Sequence, residues 1–76
     1  MIKEHDCIVL TKDKPTENLQ SGDVGTVVHI HGAGEAYEVE FITLTRQTVA
    51  LATVLTSQLR SITPNDISHV RQLANT

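Results

Sequence analysis

The apolar residues of this chain fall in short runs separated by polar stretches, and the runs carry the period of strands. Cys7-Ile8-Val9-Leu10 is the first. It is short, largely β-branched and bounded by polar residues, which predicts a buried strand. Residues 11–21, TKDKPTENLQS, are polar apart from Pro15 and Leu19. They read as a long loop that Leu19 anchors in the core. Loops of that length often carry function, so Lys12, Lys14 and Pro15 become candidate contact residues. Gly22-Asp23 predicts a turn, and Gly25 early in the next strand predicts a bulge or a close backbone approach.

The clearest local signal is a hairpin: a strand over Val24–His31, a GAGE turn, and a return over Ala36–Ile42. Setting His31 opposite Ala36 places Ile30 opposite Tyr37, His29 opposite Glu38, Val28 opposite Val39 and Val27 opposite Glu40. One face then holds Val28, Ile30, Tyr37, Val39 and Phe41. The other holds His29, His31, Glu38 and Glu40. A one-residue slip would mix the two sets, so the pattern selects this register.

A turn over 44–47 leads to a strand over 48–54, with Val49, Leu51 and Thr53 on one face and Ala50 and Ala52 on the other. Residues 56–58 read as a brief 3₁₀ turn, and 59–62 as a last strand that pairs with the first. In the tail, Asn65 or Asp66 can cap a helix, and Ile67, Val70 and Leu73 recur at three-residue spacing. A short C-terminal helix is expected there, with an extended strand as the alternative. The expected fold is mainly β: a small five-stranded antiparallel SH3-like barrel over 1–62 and a helical tail over 63–76.

Composition narrows the function more than it defines it. Seventy-six residues make one domain with a small core. A single cysteine excludes an intramolecular disulfide and suits a reducing compartment. No apolar run is long enough to cross a bilayer, and no signal peptide is evident, so a cytoplasmic protein away from membranes is expected. Six Lys and Arg face nine Asp and Glu, for a net charge of −3. The basic residues are scattered, and the two aromatics, Tyr37 and Phe41, sit at core positions. Nucleic-acid binding wants basic patches and stacking platforms, so it is the alternative and not the leading reading.

Candidate chemistry is sparse. His29 and His31 share a strand face, and His5 and Cys7 have the same spacing. Zinc needs three or four convergent ligands, and Cys7 is assigned to the core, so no metal is expected. As a nucleophile Cys7 lacks a legible base and orienting group; a buried structural thiol is expected instead. Glu38 and Glu40 lie on an open strand face, where nothing tunes them as an acid/base pair. No catalytic residue, cofactor or small-molecule substrate is expected. GDVGTV lacks the Gly-Lys-Ser/Thr of a phosphate loop. It resembles the Gly-Asp-x-Gly-x-Val turn of KOW-type barrels, but the members that use that turn on RNA are basic.

A wider resemblance covers about residues 3–62. HDCIVLTKDKP, LQSGDVGTVVHIHGAGEAYEVEF and TVALATVLTSQLRSI together resemble a family of small bacterial proteins of unknown function. Its pattern is an apolar strand ending in Leu-Thr, a Pro loop, Gly-Asp-x-Gly-Thr-Val-Val and Tyr-x-Val-Glu-Phe. The resemblance implies an SH3-like barrel, no enzyme activity, and a stand-alone cytoplasmic module, in some members tied to toxin–antitoxin or other accessory systems. Thr45-Arg46-Gln47 departs from the Gly- or Asp-bearing turn expected at that hairpin.

The expectation is therefore a non-enzymatic protein-interaction or accessory module. Its partner would be another protein or a second copy of the chain. The candidate surface is His29, His31, Glu38 and Glu40 with Lys12, Lys14 and Pro15. Gly22, Asp23, Gly25, Tyr37, Val39 and Phe41 are assigned structural roles. The alternative is a KOW-like nucleic-acid module, followed by a metal or thiol enzyme.

Overall fold

The computed structural model describes residues 1–73. Five strands, β1 (Cys7–Leu10), β2 (Val24–His31), β3 (Ala36–Ile42), β4 (Thr48–Leu55) and β5 (Leu59–Ser61), form one antiparallel sheet in the order β4-β3-β2-β1-β5. The sheet is not closed into the expected barrel: β4 and β5 are its two edges. It curls all the same. Side chains from all five strands and Leu19 form a single core of Ile8, Leu10, Leu19, Val27, Tyr37, Val39, Phe41, Ala52, Val54 and Leu59. A 3₁₀ turn at Thr56–Gln58 carries the chain from β4 to β5, so the edges share a core without sharing a ladder.

The β2–β3 register agrees with the expectation from His29 to His31 and then departs from it. Val27, not Val28, pairs with Val39, and Thr26 pairs with Glu40. Val28 is an extra residue on β2. It is 39 % exposed, while Val27 is fully buried. The reason lies one turn of the pleat away. Gly25 falls opposite Phe41 in the shifted register, and a Cβ there would stand 2.5 Å from Val39 Cγ1 and 2.8 Å from Phe41 Cε1. The missing side chain lets the Phe41 ring lie against the β2 backbone, and the bulge brings Val27 in beside it.

On β4 the small residues face inward. Ala52 and Val54 are buried, whereas Leu51 is 61 % exposed. Ala50 and Ala52 pair with Phe41 and Val39, so small side chains stand against larger ones and the core closes without overpacking. The preceding turn keeps an N–H···O bond from Thr43 to Gln47 and places Arg46 at φ 70. That left-handed position lies in the turn where a glycine or aspartate was expected.

The expected C-terminal helix does not form. Residues 62–73 contain no helix, and 74–76 lie outside the described residues. Isolated helices this short are marginal in water and need an apolar face to pack. Ile67 and Val70 find none; they are 91 % and 66 % exposed. Ion pairs direct the tail instead. Arg60 holds Asp66 through two hydrogen bonds of 2.8 and 3.0 Å, and Asp66 also accepts from the Thr63 N–H. Arg71 reaches Asp23 at 2.6 and 2.8 Å and donates to the Asn18 carbonyl.

Paired residues share a face of the sheet, so Arg60, Val9 and Val24 form a row on the face opposite the core. The tail is tied at both ends of that row, and its middle member, Val9, is only 8 % exposed. The carboxylates are tuned by these contacts. Burial works against the Asp23 charge, but the Arg71 hydrogen bonds, the Gln20 N–H and the Arg71 charge outweigh it and lower the pKa. Arg60 and the Thr63 N–H hold Asp66 well below its ordinary value.

Two outcomes are expected. Gly25→Ala forces the Phe41 and Val39 side chains apart and destabilises the fold by about 1–3 kcal/mol, read as a lower urea midpoint; an unchanged midpoint contradicts the close packing. Arg71→Ala frees the tail, so amide exchange over residues 62–71 quickens while the core strands keep their protection. A depressed carboxylate stabilises fully above its ordinary value of 3.8 and loses that contribution as pH falls through the lower folded value. Wild-type tail exchange, corrected for intrinsic rates, should therefore approach the variant's only in that acid range.

Candidate functional site

Outside the core, the sheet presents a second face whose rows follow from the ladder. Cys7, Thr26, Glu40 and Leu51 form one row; His29, Glu38 and Thr53 the next; His31, Ala36 and Leu55 the third. The bulge at Val28 sets this composition. It keeps His29 and His31 outward while shifting Thr26 out and Val27 in.

Glu38 is the hub. Its Oε2 accepts from Thr53 Oγ1 and lies 2.9 Å from His31 Nε2, diagonally across the hairpin. The Thr53 hydroxyl and the His31 ring lower the Glu38 pKa, against a smaller opposing effect of burial. The His29 and His31 rings meet edge to face with centroids 4.9 Å apart, and His29 Nδ1 lies 3.9 Å from Glu4 Oε2. Glu40 accepts from Thr48 Oγ1. Four candidate residues thus occupy one face, and three are linked in a chain, Glu38 to His31 and His31 to His29. Glu4, Thr48 and Thr53 join them; nothing in the strand alternation singled these out, because each is an ordinary polar residue until the fold sets Glu4 beside His29 and the two threonines beside Glu40 and Glu38.

Lys12, Lys14 and Pro15 lie elsewhere. Pro15 opens a 3₁₀ turn at Pro15–Glu17, Lys14 bridges to Leu19, and Leu19 is buried. Asp13 accepts from the Ser21 N–H and Asp23 from the Gln20 N–H, so the loop is internally braced. It meets the tail through Asn18 and Arg71. Among the described residues no hydrogen bond or ion pair joins it to the histidine face. Of the positions assigned structural roles, Tyr37, Val39, Phe41 and Gly25 are buried, Gly22 takes φ 98, and Asp23 holds Arg71.

Cys7 corrects an expectation. It is exposed, with Sγ 3.9 Å from Thr26 Oγ1. Alternation on β1 admits either Ile8 and Leu10 or Cys7 and Val9 to the core, and the bulkier pair takes it.

No group of three His, Cys, Asp or Glu among the described residues converges in a way that could hold a metal. An open cleft of about 620 Å³ between Met1, Ile2, Ile30, Ala33 and Tyr37 has no charged side chain in its lining. No helix among the described residues is long and apolar enough to cross a membrane.

Because Cys7 is exposed, one thiol per chain should react with a disulfide reagent in the native protein, to the same extent as in denaturant; a thiol released only by denaturant contradicts the placement.

Residues 4–61 match the model of a family described as Domain of unknown function (DUF4926). No curated protein and no solved structure matches the chain.

Proposed function

The chain belongs to the DUF4926 family, and from that premise we propose a non-enzymatic module that docks another protein on the outer face of β2, β3 and β4. The observation that carries this reading is the exposure of Leu51 at 61 % and Leu55 at 50 % beside the Glu38–His31–Thr53 network. Two large apolar side chains on one sheet face, flanked by ordered polar groups, give a partner both area to bury and directional contacts to match. The tail ties down the other end of the same face. Arg60 and Arg71 are engaged with Asp66 and Asp23, so the basic residues available to a phosphate backbone are few, which weighs against the nucleic-acid alternative. Accessory roles within a larger complex, toxin–antitoxin systems included, fit such a module.

A photo-reactive residue in place of Leu55, in the full chain expressed in its host, is expected to give a discrete cross-linked species. The same residue at Thr16 should give none, and Leu51→Lys should remove the Leu55 product. Absence of a product at Leu55, or equal yield from Thr16, overturns the reading.

A further inference from the structure

We propose that β4 pairs with β4 of a second copy of this chain, antiparallel and about a two-fold axis at Ala52. This deepens the docking reading, on which it rests, by naming the partner and the register. The sheet has two edges of unequal kind. β5 is three residues long and carries Arg60, itself bound to Asp66. Short length and charge are ordinary ways of blunting an edge. β4 is eight residues long, TVALATVL, with no charge, no proline and no glycine. Its free backbone groups form a template for another strand.

Which groups are free follows from the ladder. Thr43 donates to the Gln47 carbonyl at the start of the β3–β4 hairpin. Counting from that bond, Phe41, Val39 and Tyr37 turn their backbone groups toward β4, and Ala50, Ala52 and Val54 answer them. Leu51 and Thr53 therefore point theirs to the open edge. Both ends of this open stretch are already occupied. Val49 is the extra residue where the ladder slips between Ala50 and Thr48. At the other end the Leu55 N–H donates to Gln58 Oε1 at 2.9 Å.

The bulge and the cap lie equally far from Ala52, so the free edge is self-complementary about that residue. Leu51 then faces Thr53 of the second copy, Thr53 faces its Leu51, and each such pair exchanges two backbone hydrogen bonds. The outer faces of the two sheets become continuous, and Leu51 gains the Thr53 side chain of the second copy beside it on that face. Charge agrees with this occupant. Two chains of net −3 repel in general, but this edge lets them meet without an ionised side chain in either strand. The backbones that carry the nearest carboxylates, at Glu40 of one copy and Glu38 of the other, would stand three strand spacings apart, about 14 Å. That exceeds the screening length of about 8 Å at physiological ionic strength.

Sedimentation and amide exchange on the purified full chain test the pairing. Mass should rise with concentration from 8.3 kDa toward twice that value. The amides of Leu51 and Thr53 should gain protection in step with it, while that of Ala52, already in the β3 ladder, should not change. Leu51→Lys should remove the heavier species and the added protection, with thermal unfolding of the monomer unchanged. A chain that stays monomeric at the highest attainable concentration overturns the proposal. So does a dimer without new protection at Leu51 and Thr53, or one that persists in a folded Leu51→Lys variant. A monomer that still gives the Leu55 cross-link in its host leaves the docking reading standing with a foreign partner and removes only self-pairing. Loss of both removes both.

Discussion

One residue of slack in β2 decides which side chains of this protein meet water. Val28 stands outside the pairing, and so Val27 reaches the core above the gap left by Gly25. Without that slip, the residues preceding it would exchange faces: Val27 would turn outward and Thr26 inward. The core would lose a fully buried aliphatic side chain and gain a hydroxyl in need of a partner. The bulge therefore supplies the core and the composition of the outer face in one step. Phe41 depends on it directly, because its ring occupies the space a side chain at Gly25 would need.

That dependence explains what could be seen from the amino-acid order and what could not. Five strands, their spans within a residue or two, and the hairpin turn at residues 32–35 were legible, because glycines and β-branched runs act locally. Both histidines and both glutamates were placed on one face, because strict alternation from His31 and Ala36 outward requires it. The bulge was not legible at Val28. Two adjacent valines carry no local mark of which one enters the core, and Gly25 drew the expected bulge to itself. Cys7 was misplaced for a similar reason: CIVL is apolar throughout, so alternation alone cannot choose its inner pair. The tail's spacing of Ile67, Val70 and Leu73 satisfied a helix pattern, but the pattern presumes a surface to pack on. The ties that displaced it, Arg60 to Asp66 and Arg71 to Asp23, span up to 48 residues of sequence and leave no periodic trace.

The two edges of the sheet are managed by opposite means. Around β5, charge and irregular chain dominate: Arg60 and Asp66 form a two-pronged pair, and the tail follows. Around β4, the chain offers only neutral side chains and a single glutamine cap at Leu55. The outer face repeats the contrast. Near β5 and β1 it is tied over by the tail; near β3 and β4 it carries leucines beside a carboxylate held at low pKa by Thr53 and His31.

The tail's mode of attachment bears on how permanent the covered half is. Surface ion pairs are individually weak, because water competes for both partners. Arg60 and Asp66 both remain partly exposed, and the Arg71–Asp23 pair is better shielded. Each anchor nevertheless holds the other near its partner, so the second contact forms at high effective concentration once the first is made. Two anchors of this kind can release locally, without strand separation, because they contribute no backbone ladder and lie outside the shared core. The tail is held by two arginine–aspartate contacts, separate from the packing that holds the sheet together. Hydrophobic packing gathers one face of the curled sheet into the core, and on the other face the tail is held by charge and hydrogen bonds.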